Sequence, residues 1–372
     1  MDEYMKKAAQ MACELLQYPT DSKYDEKIRQ YQGCPTIALT KKGRIYLGWY
    51  SGGRCEPHMD NYNLLVYSDD GGKSWTKPIL VIPSSRERCV QALDIQLWTA
   101  PDGRLFVFWV QNNTFPAEEG AHTKLKGVGI TANYVDGYVF GDFTHAEWLT
   151  VCDDPDADRP VFSQPRYLDK GFLRCKPLVM ENGDWLNCNY DQDHDRYGYS
   201  ISHDCGVHYE HRYGAQKLDT PFDETMAYQR RDGSICMLAR TAVGEIAQTI
   251  SYDNAQTWTQ AKKTGIPNPN TRLFVSRTPS GRILLVNNDH SKYRCNMTVY
   301  LSEDDGTTWK YKRCLDERMD ISYPDADFYG GKIYLTYDRE RTGAKEILLC
   351  TFTEEDIMDP ARPVSIQVVS KP

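Results

Sequence analysis

The chain has 372 residues, of which 40% are hydrophobic and 12% aromatic, and its formal net charge is −8. Nucleic-acid-binding proteins normally show a basic patch, and because no basic run occurs here, the composition argues against a nucleic-acid partner. No run of 18 apolar residues is present, which argues against a membrane-spanning helix.

Residues 1–28 are predicted to form an N-terminal segment with a short amphipathic helix. Lys6, Lys7, Gln10 and Glu14 interrupt its apolar residues, so the segment lacks the continuous apolar stretch of a signal peptide. The 12 cysteines include no Cys-x-x-Cys pair and no cluster with histidine at metal-ligand spacing. We therefore expect a cytoplasmic protein with free thiols and without a metal or cofactor.

One pattern recurs six times in residues 29–372: a glycine turn followed by an alternating apolar strand. The turns contain Gly43, Gly103, Gly183, Gly233, Gly281 and Gly331. Each unit is typical of a β-hairpin. Six units of roughly 50 residues, each too small to bury its own apolar face, favour radial stacking into a propeller. The longest interval, 80 residues, predicts an insertion at about 112–160.

A second motif has the form S-x-D-x-G-x-[ST]-W. It is complete in "SDDGGKSW" (Ser68 to Trp75) and "SEDDGTTW" (Ser302 to Trp309), and octets that begin at Ser202 and Ser251 match it in part. The aspartate can cap a tight turn in which glycine takes a positive φ. These octets resemble the Asp-box, or BNR repeat, of the sialidase (neuraminidase) superfamily. The resemblance implies an all-β fold, a six-bladed β-propeller of the sialidase type.

Three segments of the C-terminal half resemble the sialidase active site in the same chain order. "FDETMAYQRRDGSICMLAR" maps Glu224 and Arg240, "KYRCNMTVYL" maps Arg294, and "ISYPDADFYGGKIYLTYD" maps Tyr323. The resemblance implies that Tyr323 is the nucleophile, that Glu224 is its base, and that the two arginines bind an acidic group of the sugar. Taken alone, one tyrosine among 25 is more readily explained by packing. The collinear order of all four residues favours the functional interpretation.

These residue types suit the cleavage of an acidic sugar. A carboxylate nucleophile would be repelled by the substrate's own carboxylate, whereas a neutral tyrosine is not, and sialidases are the exception to the usual two-carboxylate scheme. A neighbouring glutamate can accept the phenol proton as attack proceeds, and arginines around the ring would favour the phenolate. The planar fork of arginine binds both oxygens of a carboxylate.

The resemblance is looser near the N-terminus. The family's Arg-Ile-Pro element keeps its proline at Pro35, but the position two residues earlier is Gly33, and Arg29 is the nearest arginine that could replace the missing one. The loop "SGGRCEPHMD" occupies the place of the family's acid/base aspartate. Asp60 is its best match, with Glu56 as the fallback.

Four more residues are predicted to bind substrate because they lie in that loop or at the ends of strands that would face a central pocket: Arg54, Asp94, Lys176 and Arg339. For Asp94, Lys176 and Arg339, a salt bridge between blades is at least as good an interpretation. Arg341 follows the same strand as Arg339.

The sequence thus predicts a retaining exo-glycosidase that acts on a small glycan or glycoside, with no nucleic-acid or membrane partner and with homo-oligomerisation left open. The altered Arg-Ile-Pro element motivates an alternative, a sialidase-like hydrolase or lyase for a different acidic or deoxy sugar. A third interpretation is a non-catalytic carbohydrate-binding propeller, since Asp-boxes also occur in such proteins.

Overall fold

The computed structural model describes Ala12 and residues 14–120, 132–192, 194–220 and 222–372. Its strands form six antiparallel blades around a central axis, which confirms the predicted β-propeller. The inner strand of each blade is followed in sequence by strands that lie further out, and the N-terminal strand Leu16–Gln17 forms the outer edge of the first blade. Within the described residues, no helix is long and apolar enough to cross a membrane.

The first three blades contain the sixteen strands up to residue 216. The first blade comprises β1 (Leu16–Gln17), β2 (Tyr31–Leu39), β3 (Ile45–Gly52), β4 (Tyr62–Ser68) and β5 (Leu80–Pro83). The second comprises β6 (Val90–Thr99), β7 (Leu105–Pro116), β8 (Ala132–Val135), β9 (Tyr138–Cys152) and β10 (Arg166–Lys170). The third consists of two small sheets, with β11 (Phe172–Leu173), β12 (Leu178–Val179), β13 (Trp185–Asn187), β14 (Asn189–Tyr190), β15 (Arg196–Ser202) and β16 (Glu210–Gln216).

The last three blades have four strands each, paired in sequence order. The fourth comprises β17 (Met226–Gln229), β18 (Ile235–Ala239), β19 (Glu245–Ser251) and β20 (Lys262–Pro267). The fifth comprises β21 (Phe274–Arg277), β22 (Ile283–Asn288), β23 (Met297–Ser302) and β24 (Tyr311–Asp316). The sixth comprises β25 (Ile321–Tyr329), β26 (Lys332–Arg339), β27 (Glu346–Phe352) and β28 (Ser365–Ser370), and a short helix, α1 (Glu354–Met358), lies between its last two strands.

The six predicted glycine turns connect β2 to β3, β6 to β7, β12 to β13, β17 to β18, β21 to β22 and β25 to β26. Their glycines have φ values between +76° and +97°, a conformation that glycine adopts without steric cost. These turns therefore all lie at the end of the propeller where the inner strands finish. The longer loops lie at the opposite end, where the inner strands begin.

The Asp-box octets join the last two strands, in chain order, of blades one, three, four and five. In the first blade, Asp70 accepts hydrogen bonds from the Ser68 hydroxyl (2.8 Å) and the Ser74 amide (2.9 Å). In the fourth blade, Ala255 takes the place of the glycine and keeps its left-handed conformation, with φ +62°. The octets lie at the same end as the glycine turns.

The N-terminal segment and the insertion are partly described. The predicted helix falls mainly on residues 1–11 and 13, outside the described residues. Of the rest of this segment, β1 pairs with β5 of the first blade, and short 3₁₀ turns span Ser22–Tyr24 and Glu26–Ile28. The predicted insertion corresponds to the long strands β7 and β9 and to β8, which pairs with β9. Its residues 121–131 lie outside the described part.

Three inner strands are interrupted by a bulge near their beginnings. The register of β2 shifts after Gly33, that of β6 after Leu93, and that of β25 after Ser322. In each case the next residue is left-handed: φ is +55° at Cys34, +59° at Asp94 and +57° at Tyr323. A bulge releases a residue from the ladder and re-aims its side chain, and non-glycine residues seldom adopt such φ values.

Polar side chains next to these bulges close the axis below them. Asp325 accepts hydrogen bonds from Thr36 (2.7 Å) and Lys176 (2.9 Å), and Gln96 donates to Thr36 (2.9 Å). The fully buried Arg272 donates to the carbonyls of Pro35 (3.0 Å) and Pro324 (3.1 Å). We call Thr36, Gln96, Lys176, Arg272 and Asp325 the axial plug. It ties five blades together and gives the cavity above it a floor.

Candidate active site

A cavity of about 330 Å³ opens at the end where the inner strands begin. Residues from all six blades line it. Among them are five residues that the sequence singled out: Asp94, Glu224, Arg240, Arg294 and Tyr323. We call this space the central cavity.

Tyr323, Glu224 and Arg240 form one buried hydrogen-bonded group. The Tyr323 hydroxyl donates to Glu224 Oε1 (2.9 Å), and one nitrogen of Arg240 donates both to Glu224 Oε2 (2.6 Å) and to the Tyr323 hydroxyl oxygen (3.1 Å). Tyr323 lies in the bulge of β25, Glu224 lies two residues before β17 with φ +35°, and Arg240 follows β18. The fold thus brings together three of the four residues that the family resemblance aligned, and the left-handed conformations of two of them direct their side chains to one point.

Four further guanidinium groups surround the Tyr323 ring. Their Cζ atoms lie between 4.3 and 5.5 Å from the ring centroid and belong to Arg174, Arg272, Arg294 and Arg341. Burial and the Glu224 carboxylate outweigh the arginine charges, which by themselves favour the phenolate. Burial, and next the Glu224 carboxylate, raise the pKa of Tyr323 to about 12. The hydroxyl is therefore protonated at neutral pH.

The pKa of the Glu224 carboxyl, by contrast, is lowered. Burial disfavours its charged form, but the guanidinium groups of Arg240 and Arg174 outweigh burial and hold the pKa of Glu224 at about 2. Glu224 is therefore an ionised acceptor that already holds the hydrogen bond from the phenol.

Arg341 takes the space that the missing arginine would occupy. A Cβ atom added to Gly33 would lie 2.8 Å from Cγ, Cδ and Nε of Arg341, so any side chain at position 33 would displace Arg341. Arg341 is held by Asp338 (2.9 Å) and Glu56 (3.1 Å) and lines the central cavity with Arg240 and Arg294. Arg240, Arg294 and Arg341 thus all line the cavity beside Tyr323. Arg341 comes from the sixth blade, whereas position 33 belongs to the first.

Two carboxyl groups lie together elsewhere in the central cavity. Oxygen atoms of Glu56 and Asp94 lie within 4.8 Å of each other, and Glu56 accepts a hydrogen bond from the Tyr31 hydroxyl (2.6 Å). Arg174 lies 3.2 Å from Asp94. Burial raises the pKa of Asp94 to about 6, against the pull of Arg174. One member of this pair can therefore carry a proton under mildly acidic conditions.

Three predicted site residues lie outside the central cavity. Arg29, Arg54 and Asp60 line a separate cavity of about 810 Å³ beside the first blade, which we call the outer cavity. Asp60 pairs there with Arg86 (2.7 Å), and Arg54 pairs with Asp136 (2.9 Å). The expectations that Arg29 replaces the missing arginine, that Arg54 binds substrate at the axis and that Asp60 is the acid are corrected accordingly. The fallback residue Glu56 is the member of this loop that reaches the central cavity.

Two other predicted ligands have structural roles. Lys176 belongs to the axial plug, where it pairs with Asp325 below the cavity. Arg339 pairs with Glu346 (3.1 Å) and Glu340 (2.5 Å) and does not line the cavity. The alternative interpretation, a salt bridge between blades, describes Lys176, whereas Arg339 forms salt bridges within its own blade.

The sequence reasoning missed Arg174 and did not choose Arg341. Arg174 stands two residues before Lys176, as Asp94 and Tyr323 stand two residues before the plug residues Gln96 and Asp325. This shared spacing is the signal that could have identified it. Arg341 had no local signal, because its placement depends on the absence of a side chain at a position in another blade.

One group in the described part of the chain has the composition of a metal site: Cys34, Glu56 and Asp94. Its residues do not fit a metal ion well. Arg341 already contacts Glu56 and Arg174 already contacts Asp94, and burial raises the pKa of the Cys34 thiol, so that it is not a thiolate.

A family model described as a BNR repeat-like domain matches residues 146–333, half of the chain. No curated protein sequence is significantly similar to the chain.

Several solved structures share the fold. A leech intramolecular trans-sialidase, solved with 2,7-anhydro-Neu5Ac, is 15% identical, with a TM-score of 0.68 over 96% of this chain and 73% of the other. An intramolecular trans-sialidase from Ruminococcus gnavus is 16% identical, with a TM-score of 0.66 over 92% and 97%. A protein of unknown function from Dyadobacter fermentans is 18% identical, with a TM-score of 0.68 over 88% and 96%. At these identities the similarity shows the fold.

Proposed function

Because the chain belongs to the family of BNR repeat-like domain proteins and has the sialidase-type propeller, we propose that it is an exo-glycosidase. It releases a terminal acidic sugar, of the sialic acid class, with retention of configuration. The central cavity, at about 330 Å³, is near the lower end of the range for ligand pockets and suits a single sugar.

The observation that carries the proposal is the hydrogen bond from the Tyr323 hydroxyl to an ionised Glu224. The phenol oxygen attacks the anomeric carbon while its proton passes to Glu224, which forms a tyrosyl–sugar bond as the bond to the leaving oxygen breaks. Water then cleaves the tyrosyl–sugar bond, and the phenol recovers its proton. Two inversions at one carbon give retention.

The substrate carboxylate binds to Arg240, Arg294 and Arg341 in this proposal. Arg240 also stabilises the charged form of Glu224. A substrate carboxylate that shares Arg240 weakens this stabilisation and makes Glu224 a stronger base. Substrate binding therefore prepares the base for the step in which it acts, and a sugar without an acidic group would not.

The leaving oxygen receives its proton from the pair of Glu56 and Asp94. Glu56 lies nearer the opening of the cavity, because its side chain is more exposed than that of Asp94. Asp94 holds a proton below about pH 6. We assign Glu56 as the group that delivers the proton and Asp94 as the neighbour that keeps the pair singly protonated, because two adjacent carboxylates do not both ionise readily.

The test is a panel of chromogenic exo-glycosides that includes an α-sialoside. The wild type cleaves the sialoside, and Tyr323→Phe lowers kcat by about three orders of magnitude while the sugar still binds. A neutral hexoside of the same aglycone serves as the control and is not cleaved. A wild type that cleaves no glycoside but still binds the sugar would support a carbohydrate-binding propeller instead.

A different acidic or deoxy sugar is the second candidate. Apolar side chains form much of the cavity wall, namely Leu93, Phe140, Phe172 and Phe222, and such a wall suits a sugar with fewer hydroxyl groups. The same panel distinguishes the two candidates, because turnover of another acidic sugar with an inert sialoside would favour the second. A lyase would release an unsaturated product, which ultraviolet absorbance detects.

A further inference from the structure

Arg174 is a buried cation between the proposed acid pair and the proposed base. It follows β11 in the third blade, so it stands between Asp94 of the second blade and Glu224 of the fourth. Its Nη1 lies 3.2 Å from Asp94 Oδ1, and its Nε lies 3.7 Å from Glu224 Oε1, the oxygen that accepts the hydrogen bond of Tyr323. One guanidinium group therefore contacts both carboxylates between which the reaction would take place.

These contacts are made by charge rather than by aligned hydrogen bonds. None of the three guanidinium nitrogens of Arg174 makes a hydrogen bond of normal geometry to a residue in the described part of the chain. A buried arginine with a structural role is usually fixed by such bonds, as Arg272 is by the carbonyls of Pro35 and Pro324. Arg174 keeps its charge at every pH that the protein meets. It does not line the central cavity, so it acts on a substrate only through residues that do.

Other ionisable groups around Arg174, Asp94 and Glu224 come from five blades. Besides Tyr323, they are Cys34, Tyr50, Glu56, Tyr190, Arg240 and Arg272. Burial raises the pKa of Cys34, Tyr50 and Tyr190, so these three side chains are neutral at neutral pH. Among the described residues, Arg174 is the one cation that forms an ion pair with Asp94. Asp94 therefore responds to Arg174 more than to any other charge.

The proposed reaction moves negative charge from one side of Arg174 to the other. In the first step the Tyr323 proton passes to Glu224, and the pair of Glu56 and Asp94 gives its proton to the leaving oxygen. Glu224 thereby loses its negative charge, and the pair gains a second one. Two adjacent carboxylates ionise together only where a nearby cation offsets their repulsion. Arg174 is in contact with both places where the charge changes.

We propose that Arg174 is a positioning residue that couples the two proton transfers, because it pairs more strongly with Asp94 as Glu224 becomes neutral. The role rests on the proposed function, since it requires Tyr323 as the nucleophile and the carboxyl pair as the acid. The leaving oxygen then receives its proton at the time when the phenol oxygen bonds to carbon.

The kinetic test compares Arg174→Met, which removes the charge but keeps an unbranched side chain, with the wild type on two α-sialosides. With an alkyl leaving group, kcat/KM should fall about a hundredfold, because this leaving oxygen needs a proton. With a nitrophenyl leaving group the fall should be less than about threefold, because nitrophenolate leaves without a proton. The decline of kcat/KM with rising pH should move upward by about 1–3 pH units, because Asp94 loses its cation. Arg174→Lys keeps the charge and should restore most of both properties.

Arg44→Met is the matched control for the loss of a buried arginine. Arg44 pairs with Asp69 (2.7 Å) but lies at the glycine-turn end of the first blade. This variant should keep the wild-type ratio between the two sialosides and the wild-type pH of the decline. If Arg174→Met slows both sialosides equally and the decline does not move, Arg174 is only a structural residue, and the proposal is overturned while the proposed function stands.

A measurement without substrate separates this proposal from the proposed function. The titration of Asp94 can be followed by NMR of the full chain with isotope-labelled aspartate carboxyls, and its signal is identified by its absence in Asp94→Asn. It should titrate near pH 6 in the wild type and about 1–3 pH units higher in Arg174→Met. An unmoved titration in an active enzyme would overturn the role of Arg174 alone. A moved titration in a protein that cleaves no glycoside would support the control of Asp94 by Arg174 and contradict the proposed function.

Discussion

At the scale of single residues, a strong acid lies beside a weak one in the wall of the central cavity. The Glu224 carboxyl has a pKa of about 2 and the Tyr323 phenol a pKa of about 12, so the proton between them stays on tyrosine in the resting protein. Proton transfer becomes favourable only as the phenol oxygen bonds to carbon. In the proposed reaction, this arrangement keeps Tyr323 neutral until an acidic substrate is bound.

Whether Arg341 substitutes for an arginine at position 33 can be tested by removing Arg341 and placing an arginine at position 33. Arg341→Ala should raise the KM for the acidic sugar about tenfold to a hundredfold, because a charged hydrogen bond contributes about 1.5–3 kcal/mol. Gly33→Arg alone should be more harmful, since the new side chain collides with Arg341. The double variant should recover much of the affinity, as steady-state kinetics would measure. If the two single effects on KM simply multiply in the double variant, Arg341 and position 33 do not substitute for each other.

Asp94 should determine how activity falls with rising pH. Its pKa of about 6 is raised above the ordinary value, so the protonated form is lost as pH rises through about 6. Because Glu224 stays ionised above about pH 2, we expect kcat/KM to be highest on the acidic side of pH 6. In Asp94→Asn the decline of kcat/KM with rising pH should no longer lie near pH 6. A pH–rate profile with an unchanged decline would remove Asp94 from the proton-donating pair.

At the scale of elements, the hairpin of β8 and β9 forms part of the cavity wall. Its turn residue, Asp136, accepts two hydrogen bonds from Arg54 (2.9 and 3.0 Å) and lies 2.9 Å from His58 Nε2. Asn133 and Phe140 of the same hairpin line the central cavity. We call the contacts of Asp136 with Arg54 and His58 the latch.

Removal of the latch should loosen this wall. Asp136→Ala is expected to raise KM by about three- to tenfold with less change in kcat, and to speed amide exchange in residues 132–140. Glu210→Ala is the matched control, because it breaks a similar bidentate pair with Arg212 on another blade. Equal effects of the two substitutions on KM would mean that the latch has no specific role.

The elements differ in how well the sequence predicts them. The glycine turns and Asp-boxes are local, so each octet carries the residues that its own turn needs, and the six blades follow from their spacing. Glu224, Arg240, Arg294 and Tyr323 follow from resemblance. The choice between Asp60 and Glu56 depends on the course of one loop, which no local pattern specifies. The place of Arg341 depends on contact between blades that are distant in sequence.

At the scale of the whole molecule, the axial plug connects the blades around the axis. Asp325 is almost fully buried and binds residues of the first, second and third blades from its own place in the sixth. Removing one member of a buried ion pair leaves the other uncompensated. The stability of the closed ring should therefore depend on this one carboxylate.

Asp325→Asn should lower the free energy of unfolding by about 3–5 kcal/mol, as urea denaturation would measure, because it leaves Lys176 buried without its counter-charge. The double variant Asp325→Asn with Lys176→Met should recover part of this loss. Asp102→Asn, which removes an exposed pair with Arg104, should change stability by less than about 1 kcal/mol. If the losses of unfolding free energy from the two substitutions simply add in the double variant, Asp325 and Lys176 are not coupled.

The plug also limits how substrate and products of the proposed reaction can enter and leave. A cavity with a sealed floor has one mouth, so the leaving glycan must depart through the opening by which the water for the second step arrives. Because the proposed reaction passes through a tyrosyl–sugar intermediate, it is of the ping-pong type, with the glycan as first product and the free sugar as second. Any alcohol that reaches the open mouth in the interval competes with water for the tyrosyl–sugar intermediate, and the width of that mouth sets the balance between hydrolysis and transfer.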